Sequence, residues 1–190
     1  MAGDRKQEIL EITAELMQTR TFSAFSFQDI ADRLGISKAA IHSHYRTKEI
    51  LGVALLDKYY DDLEQLHKDI DSSDGDVWTK FDVFILANKM STVDDNKVCP
   101  VTVLQLENNV IPESLQKGVT RIYTKNNQWL ARLLSRGVEE GQMSFQGSAE
   151  GQAALIIGAL IGAFLNSRAE GSDIFDTIVE QLKNSMKPAK

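Results

Sequence analysis

Residues Ser26 to Leu51 read SFQDIADRLGISKAAIHSHYRTKEIL. Phe27, Ile30, Ala31 and Leu34 recur at spacings of three and four, so a helix places them on one face. Ser26 precedes that face as an N-cap whose hydroxyl can accept from the amide three residues on, and Asp29 sets a negative charge beside the positive helix end. Gly35 follows, the residue type that most easily takes the positive φ needed to close a helix. Ser37 caps a second helix whose inward positions are Ile41 and Tyr45. Two short amphipathic helices joined at Gly35, Ile36 and Ser37 make a helix-turn-helix. Lys38, Ala39, Ala40, His42, Ser43 and His44 are left facing outward.

That outward set has the chemistry of a rod that lies in the major groove of DNA. A reading helix needs short or hydrogen-bonding side chains on its exposed N-terminal face, with cations nearby for phosphates. Ala39 and Ala40 admit close backbone approach and can touch thymine methyls. Lys38, His42 and His44 offer donors to phosphates or base edges. Thr47, Lys48 and Glu49 open a further helix with Thr47 as its cap, and that amide-rich end, with Lys48, is expected to clamp phosphate. Ser26, Ser37, Lys38, Ala39, Ala40, His42, Ser43, His44, Thr47 and Lys48 are therefore the expected DNA-binding residues.

The run FQDIADRLGISKAAIHSHYRTKEIL resembles the DNA-binding domain of TetR-family transcriptional regulators. The motif likeness covers about the first fifty residues, and the rest of the chain is similar in length and helical rhythm. Thr21, Phe25, His42 and Tyr45 depart from the family pattern. The resemblance implies a three-helix head over residues 1–47, followed over residues 48–190 by a helical ligand-binding and dimerisation domain. It further implies a repressor released from a (pseudo)palindromic operator by a small-molecule effector.

Formal net charge is −6 over 190 residues, which at first speaks against a nucleic-acid partner. Residues 1–50 hold seven of the 21 basic and seven of the 27 acidic groups, leaving 14 against 20 in the remainder. All the excess negative charge thus lies outside the proposed reader. The single cysteine excludes an internal disulfide framework and fits a cytosolic setting. The first twenty residues are interrupted by charge, unlike a signal peptide. The most apolar run, Ala153 to Leu165, spans only about 20 Å as a helix against a hydrocarbon core of roughly 30 Å, and reads as a buried helix rather than a membrane span.

Along the chain the periodicity predicts an all-α fold of about nine helices. A first helix from about Arg5 to Gln18 carries Ile9, Ile12, Thr13 and Leu16 on one stripe. A long helix from Lys48 runs through Tyr59 and Leu63 to Ile70, and DSSDGD at residues 71–76 is a linker with Asp76 capping the next helix. A polar break at Thr92 to Lys97 precedes a helix beginning near Pro100. Pro112 marks the first turn of a helix that stops near Gly141. Two more helices follow, about Ala149 to Arg168 and Ser172 to Met186.

Aromatic side chains crowd the middle of the chain. The resemblance implies an effector pocket there, for which Tyr59, Tyr60, Leu63, Trp78, Phe81, Phe84, Cys99, Leu106, Glu107, Tyr123 and Trp129 are the candidates; plain core packing would produce the same spacing. Ala154, Gly158 and Gly162 recur every four residues and bare one helix face for close approach. The resemblance implies that the last two helices pair with their two-fold mates, with Ile157, Ile161, Phe164, Leu165, Phe175, Ile178, Val179 and Leu182 supplying apolar surface; packing of the same glycines within one chain is the alternative. Cys99, directly before Pro100, has two readings: a thiol near a positive helix end, a placement that lowers its pKa and through which some regulators of this kind sense electrophiles or oxidants, or, as free cysteines mostly are, a small buried hydrophobe.

An enzyme is the rival class. His42 and His44, two apart on a helix, project to different sides and chelate poorly, and His67 reads as a lone surface residue. There is no G-x-S-x-G, no phosphate-cradling glycine loop and no motif-spaced Cys and His. No catalytic residue, metal or cofactor is expected. A second rival is a helical adaptor that uses its head to bind another protein.

Overall fold

A computed structural model describes residues 2–90 and 98–188. The expected polar break at Thr92 to Lys97 lies outside them. Every regular element among the described residues is a helix: α1 (Ala2–Thr19), α2 (Phe27–Leu34), α3 (Lys38–His44), α4 (Lys48–Ser72), α5 (Val77–Met90), α6 (Pro100–Leu106), α7 (Glu113–Glu139), α8 (Ala149–Glu170) and α9 (Asp173–Ser185). The all-α expectation holds, with ends shifted by a few residues; α1 starts three residues before Arg5. Asp76 caps α5 by accepting the Thr79 amide at 2.8 Å, and Pro112 stands directly before α7.

By packing, the chain divides into two compact units, Met1–Asp62 with Cys99–Ile122, and Leu63–Val98 with Tyr123–Lys190. This division differs from a cut after residue 47, because it follows contacts rather than motifs. The start of α4, all of α6 and the start of α7 fall with the head.

The first unit is built on α1, α2 and α3. Ile9, Leu16, Met17, Phe27, Ile30, Ala31, Ile41 and Tyr45 are buried together, as their three-and-four spacing demands. Two glycines set the approach of α4 and α7 inside this unit. A Cβ on Gly118 would stand 2.7 Å from the Leu56 side chain, and one on Gly52 3.0 Å from the side chains of both Leu115 and Phe22, so a larger residue at either position would require those side chains to shift.

The second unit has its own core, centred on Ile70, Val77, Phe81, Phe84, Trp129, Leu130, Leu134, Ile156, Leu160 and Phe175. His67, expected at the surface, is buried at 4% exposure. Its ring stacks on Trp129 at 4.3 Å with an interplanar angle of 3°, and Nε2 lies 3.1 Å from the Asn126 side-chain oxygen. That oxygen only accepts, so Nε2 carries the proton. Burial holds the His67 pKa down at about 4, against the opposing pull of Asn126 and Asp71. α8 is long and apolar enough to cross a bilayer by length and composition, but Ala153, Ile156, Ile157, Leu160, Ala163 and Phe164 are buried in the protein.

Candidate nucleic-acid interface

Local chemistry sets the geometry of the reading head. The Ser26 hydroxyl accepts the Gln28 amide at 3.2 Å, while Asp29 accepts the Ser26 amide at 2.8 Å and its hydroxyl at 2.7 Å. This reciprocal box, joined by Arg20 at 2.8 Å, holds the Asp29 pKa down at about 2, with the Ser26 hydroxyl the largest cause. Gly35 closes α2 at φ +63°, and nothing lies within 4 Å of where its Cβ would be. Glycine is therefore needed there for conformation, not for space. Ser37 starts α3 by accepting the Ala40 amide at 3.2 Å.

Ile41 and Tyr45 anchor α3 inward at 0% and 6% exposure. Lys38, Ala39, His42 and Ser43 are exposed on the opposite side, whereas Ala40 and His44 are half-buried. The Ser43 hydroxyl donates to the Ala40 carbonyl at 2.7 Å. His42 rests edge-on against Phe27 at 4.8 Å, with Nδ1 3.3 Å from the Arg46 carbonyl. Because a carbonyl only accepts, Nδ1 carries the proton, and in the neutral ring Nε2 is an acceptor. An acceptor on this face suits the amino groups of adenine or cytosine in the major groove.

The cations sort themselves by what they touch. Arg5 is paired with Glu8, Arg20 with Asp29 and Arg33 with Glu15. Lys48, expected to clamp phosphate, points inward instead. Its ammonium donates to the Phe25 carbonyl and sits 4.7 Å and 4.0 Å from the ring centres of Phe22 and Phe25. Burial pushes its pKa down, against the pull of Glu107 and Asp29. The reason is a loop that sequence spacing does not place, in which two aromatic faces and a carbonyl solvate the cation. Thr47 does cap α4, accepting the Ile50 amide at 3.1 Å. Lys38 and Arg46 are exposed beside the outward face of α3. Arg46 was missing from the expected set, although its place directly after the inward Tyr45 was a usable signal.

The expected effector residues separate between the two units. In the first unit, burial raises the Tyr59 pKa above its usual range, with Cys99 and Asp62 adding to it. The Arg121 guanidinium covers the Tyr60 ring at 4.3 Å. Leu106 is 69% exposed. Glu107 accepts the Phe22 amide at 2.6 Å and the Ser23 amide at 3.1 Å, so its carboxylate is engaged by backbone. Cys99 is the N-cap of α6 without a side-chain cap bond. Burial pushes its thiol up, outweighing bonds from Thr102 and Val101, as the buried-hydrophobe reading requires and the helix-end reading does not.

In the second unit Phe81, Phe84 and Trp129 are core residues, at 0%, 0% and 2% exposure. Trp129 donates to Asp71 at 3.1 Å and Trp78 to the Gln142 carbonyl at 2.9 Å. Leu63 and Tyr123 are half-buried.

On α8 two adjacent stripes have different fates. Ile157 and Phe164 turn inward, and Phe164 stacks on Phe175 at 5.3 Å, so these three residues, expected on the partner-facing surface, belong to the core. Ala154 and Gly158 are exposed, and Ile161, Gly162, Ile178, Val179 and Leu182 half-buried. Leu155 and Leu165 are 59% and 37% exposed. A Cβ on Gly158 or Gly162 would meet nothing within 4 Å. Packing within one chain therefore does not explain these glycines. Among the described residues no three His, Cys, Asp or Glu side chains converge to hold a metal.

The family model described as bacterial regulatory proteins, tetR family, matches residues 9–55, the stretch that holds this head. No curated protein matches the chain in sequence. Among solved structures, a TetR-family transcriptional regulator from Agrobacterium tumefaciens is 24% identical, with TM-score 0.92 over 98% of this chain and 99% of that one. A TetR transcriptional regulator from Legionella pneumophila is 26% identical, with TM-score 0.88 over 96% and 97%. E. coli NemR in its reduced form is 20% identical, with TM-score 0.84 over 98% and 100%. Residues 9–55 thus carry the DNA-binding domain described for the tetR family of bacterial regulatory proteins, and the chain along its length has the fold of solved TetR-family transcriptional regulators.

Proposed function

We propose that the chain is a homodimeric repressor that leaves a (pseudo)palindromic operator when a small molecule binds among the helices after residue 48. The observation that carries the reading is the polar, small-residue face of α3, where Lys38, Ala39, His42 and Ser43 stand exposed on a rod anchored by Ile41 and Tyr45. A helix with such a face docks in a major groove, and two copies cover half-sites one or more DNA turns apart. Ala40, His44, Ser37 and Thr47 lie at its margins, and Ser26 acts through the cap of α2. The exposed surface of Ala154, Leu155, Gly158 and Leu165 supports pairing of two chains through α8 and α9.

Ligand binding shifts α4 and with it the separation of the two heads, so operator and effector compete through one two-state equilibrium. By linkage, DNA weakens the effector by the same factor. Of the aromatic candidates, Tyr59, Tyr60, Trp78 and Tyr123 are half-buried and retain surface that a ligand could touch. The raised Cys99 pKa favours a reversibly bound effector over thiol chemistry. The site of action is the cytoplasm, no cofactor is needed, and no catalytic step is assigned. The test is selection of a duplex from a random library by the purified chain. A repressor of this kind enriches a palindrome and binds it far more tightly than a scrambled control, whereas an adaptor that uses the head for protein contact enriches nothing.

A further inference from the structure

We propose that Glu107 is a positioning residue for operator recognition, whose carboxylate holds the loop that enters the helix-turn-helix and thereby fixes the pose of the reading head on α6. The inference rests on the operator-binding reading above.

The loop between α1 and α2 is tied from three sides. Asp29 of α2 takes the Ser26 amide and Arg20, and Lys48 of α4 takes the Phe25 carbonyl. Glu107, the residue that ends α6, takes two consecutive amides, with Oε2 2.6 Å from Phe22 N and Oε1 3.1 Å from Ser23 N. Consecutive amides aimed at one carboxylate form an anion nest, and the charge on the acceptor makes both bonds stronger than neutral ones. Phe22 is 6% exposed, so its amide has little access to water in place of the carboxylate. The first two ties come from within the head or from the first residue of the helix that follows it. The third comes from a helix that starts at Pro100, and it joins groups 85 and 84 residues apart.

The platform that presents Glu107 is itself braced. Val110 and Ile111 donate their amides to the Glu107 carbonyl at 2.9 and 3.1 Å. The Gln116 side chain spans the turn to the Asn108 and Ile111 carbonyls at 2.9 and 3.1 Å. A movement of the end of α6 is therefore conveyed to residues 22 and 23, and from there to α2 and α3, which the Ser26 and Gly35 caps hold as one piece. The side-chain bonds of Glu107 go to the Phe22 and Ser23 amides, in the loop and not on the reading face of α3. Loss of Glu107 should leave the chemistry of base contact intact and loosen only the placement of the heads.

The test uses the full chain, the duplex selected by the wild-type protein, and a duplex carrying one half-site. Glu107→Ala should lower affinity for the full site at least tenfold while half-site affinity stays within twofold. Glu107→Gln, which keeps one acceptor oxygen, should fall between. Inserting one base pair between the half-sites should penalise the wild type much more than Glu107→Ala. Equal losses on full site and half-site would mean that the residue only helps the head to fold, and overturn the inference, as would unchanged or tighter full-site binding. A wild-type chain that selects no duplex fails at the operator-binding reading itself, and the inference falls with it.

Discussion

Acid should destabilise the second unit through His67. Its folded pKa of about 4 lies below the ordinary value of 6.5 because the neutral ring is buried against Trp129. Between those values the unfolded chain binds more protons than the folded one, so stability rises with pH across the window. The contribution is fully present above pH 6.5 and is lost as pH falls toward 4. At 1.36 kcal/mol per unit, the whole window is worth about 3 kcal/mol, of which about 2 is gone by pH 5. The charged groups that face the ring are Asp71 on α4 and Lys125 and Arg132 on α7. Asp71 opposes burial while Lys125 and Arg132 reinforce it, and each effect is smaller than that of burial.

Urea denaturation at pH 7.5 and pH 5.0 measures this directly. With a slope of 1–3 kcal/mol per molar, the wild-type midpoint should fall by about 1 M between the two conditions. His67→Gln removes the titrating ring and keeps an amide for Asn126. This variant should start less stable at pH 7.5, because the stack on Trp129 is gone, and should show a smaller acid loss. The difference between the two proteins cancels the exposed groups that titrate in the same range. An equal acid loss in both would refute the reasoning, and so would a His67 ring that titrates near 6.5 by NMR.

Lys38→Ala and Arg46→Ala should each flatten the dependence of operator affinity on log salt by about one per protomer, since each removes a phosphate cation. Lys48→Ala should leave the slope unchanged and lower the melting temperature, because its ammonium serves the loop; a change in slope would return it to the interface. Gly158→Glu should leave the helical circular dichroism intact and convert the protein to monomer in sedimentation equilibrium, and a persistent dimer would place the interface elsewhere. Cys99 should react with a thiol reagent at pH 7.5 more slowly than free cysteine, given its raised pKa; faster labelling would restore thiol sensing.

The head was legible in the sequence because its determinants are local. A cap at Ser26, a carboxylate three residues on, a positive-φ glycine and inward Ile41 and Tyr45 all lie within twenty residues. What could not be read depends on partners far along the chain. The burial of His67 needs Asn126, 59 residues away, and the role of Glu107 needs amides near residue 22. Lys48 looks like a phosphate clamp until Phe22 and Phe25 fold over it. On α8 the run AALIIGALIGAFL is apolar all round, so periodicity cannot say which stripe faces inward. Ile157 and Phe164 therefore read like interface residues although they line the core, while the glycine stripe beside them lies open.

Operator discrimination by the α3 face tests the central claim most directly. The wild-type chain should bind its selected duplex at least about a thousandfold more tightly than a scrambled duplex of equal length at the same salt. A chain carrying Lys38→Ala, His42→Ala and Ser43→Ala together, still helical by circular dichroism, should bind both duplexes alike. Equal binding of both duplexes by the wild type, or undiminished discrimination in the triple variant, would contradict it.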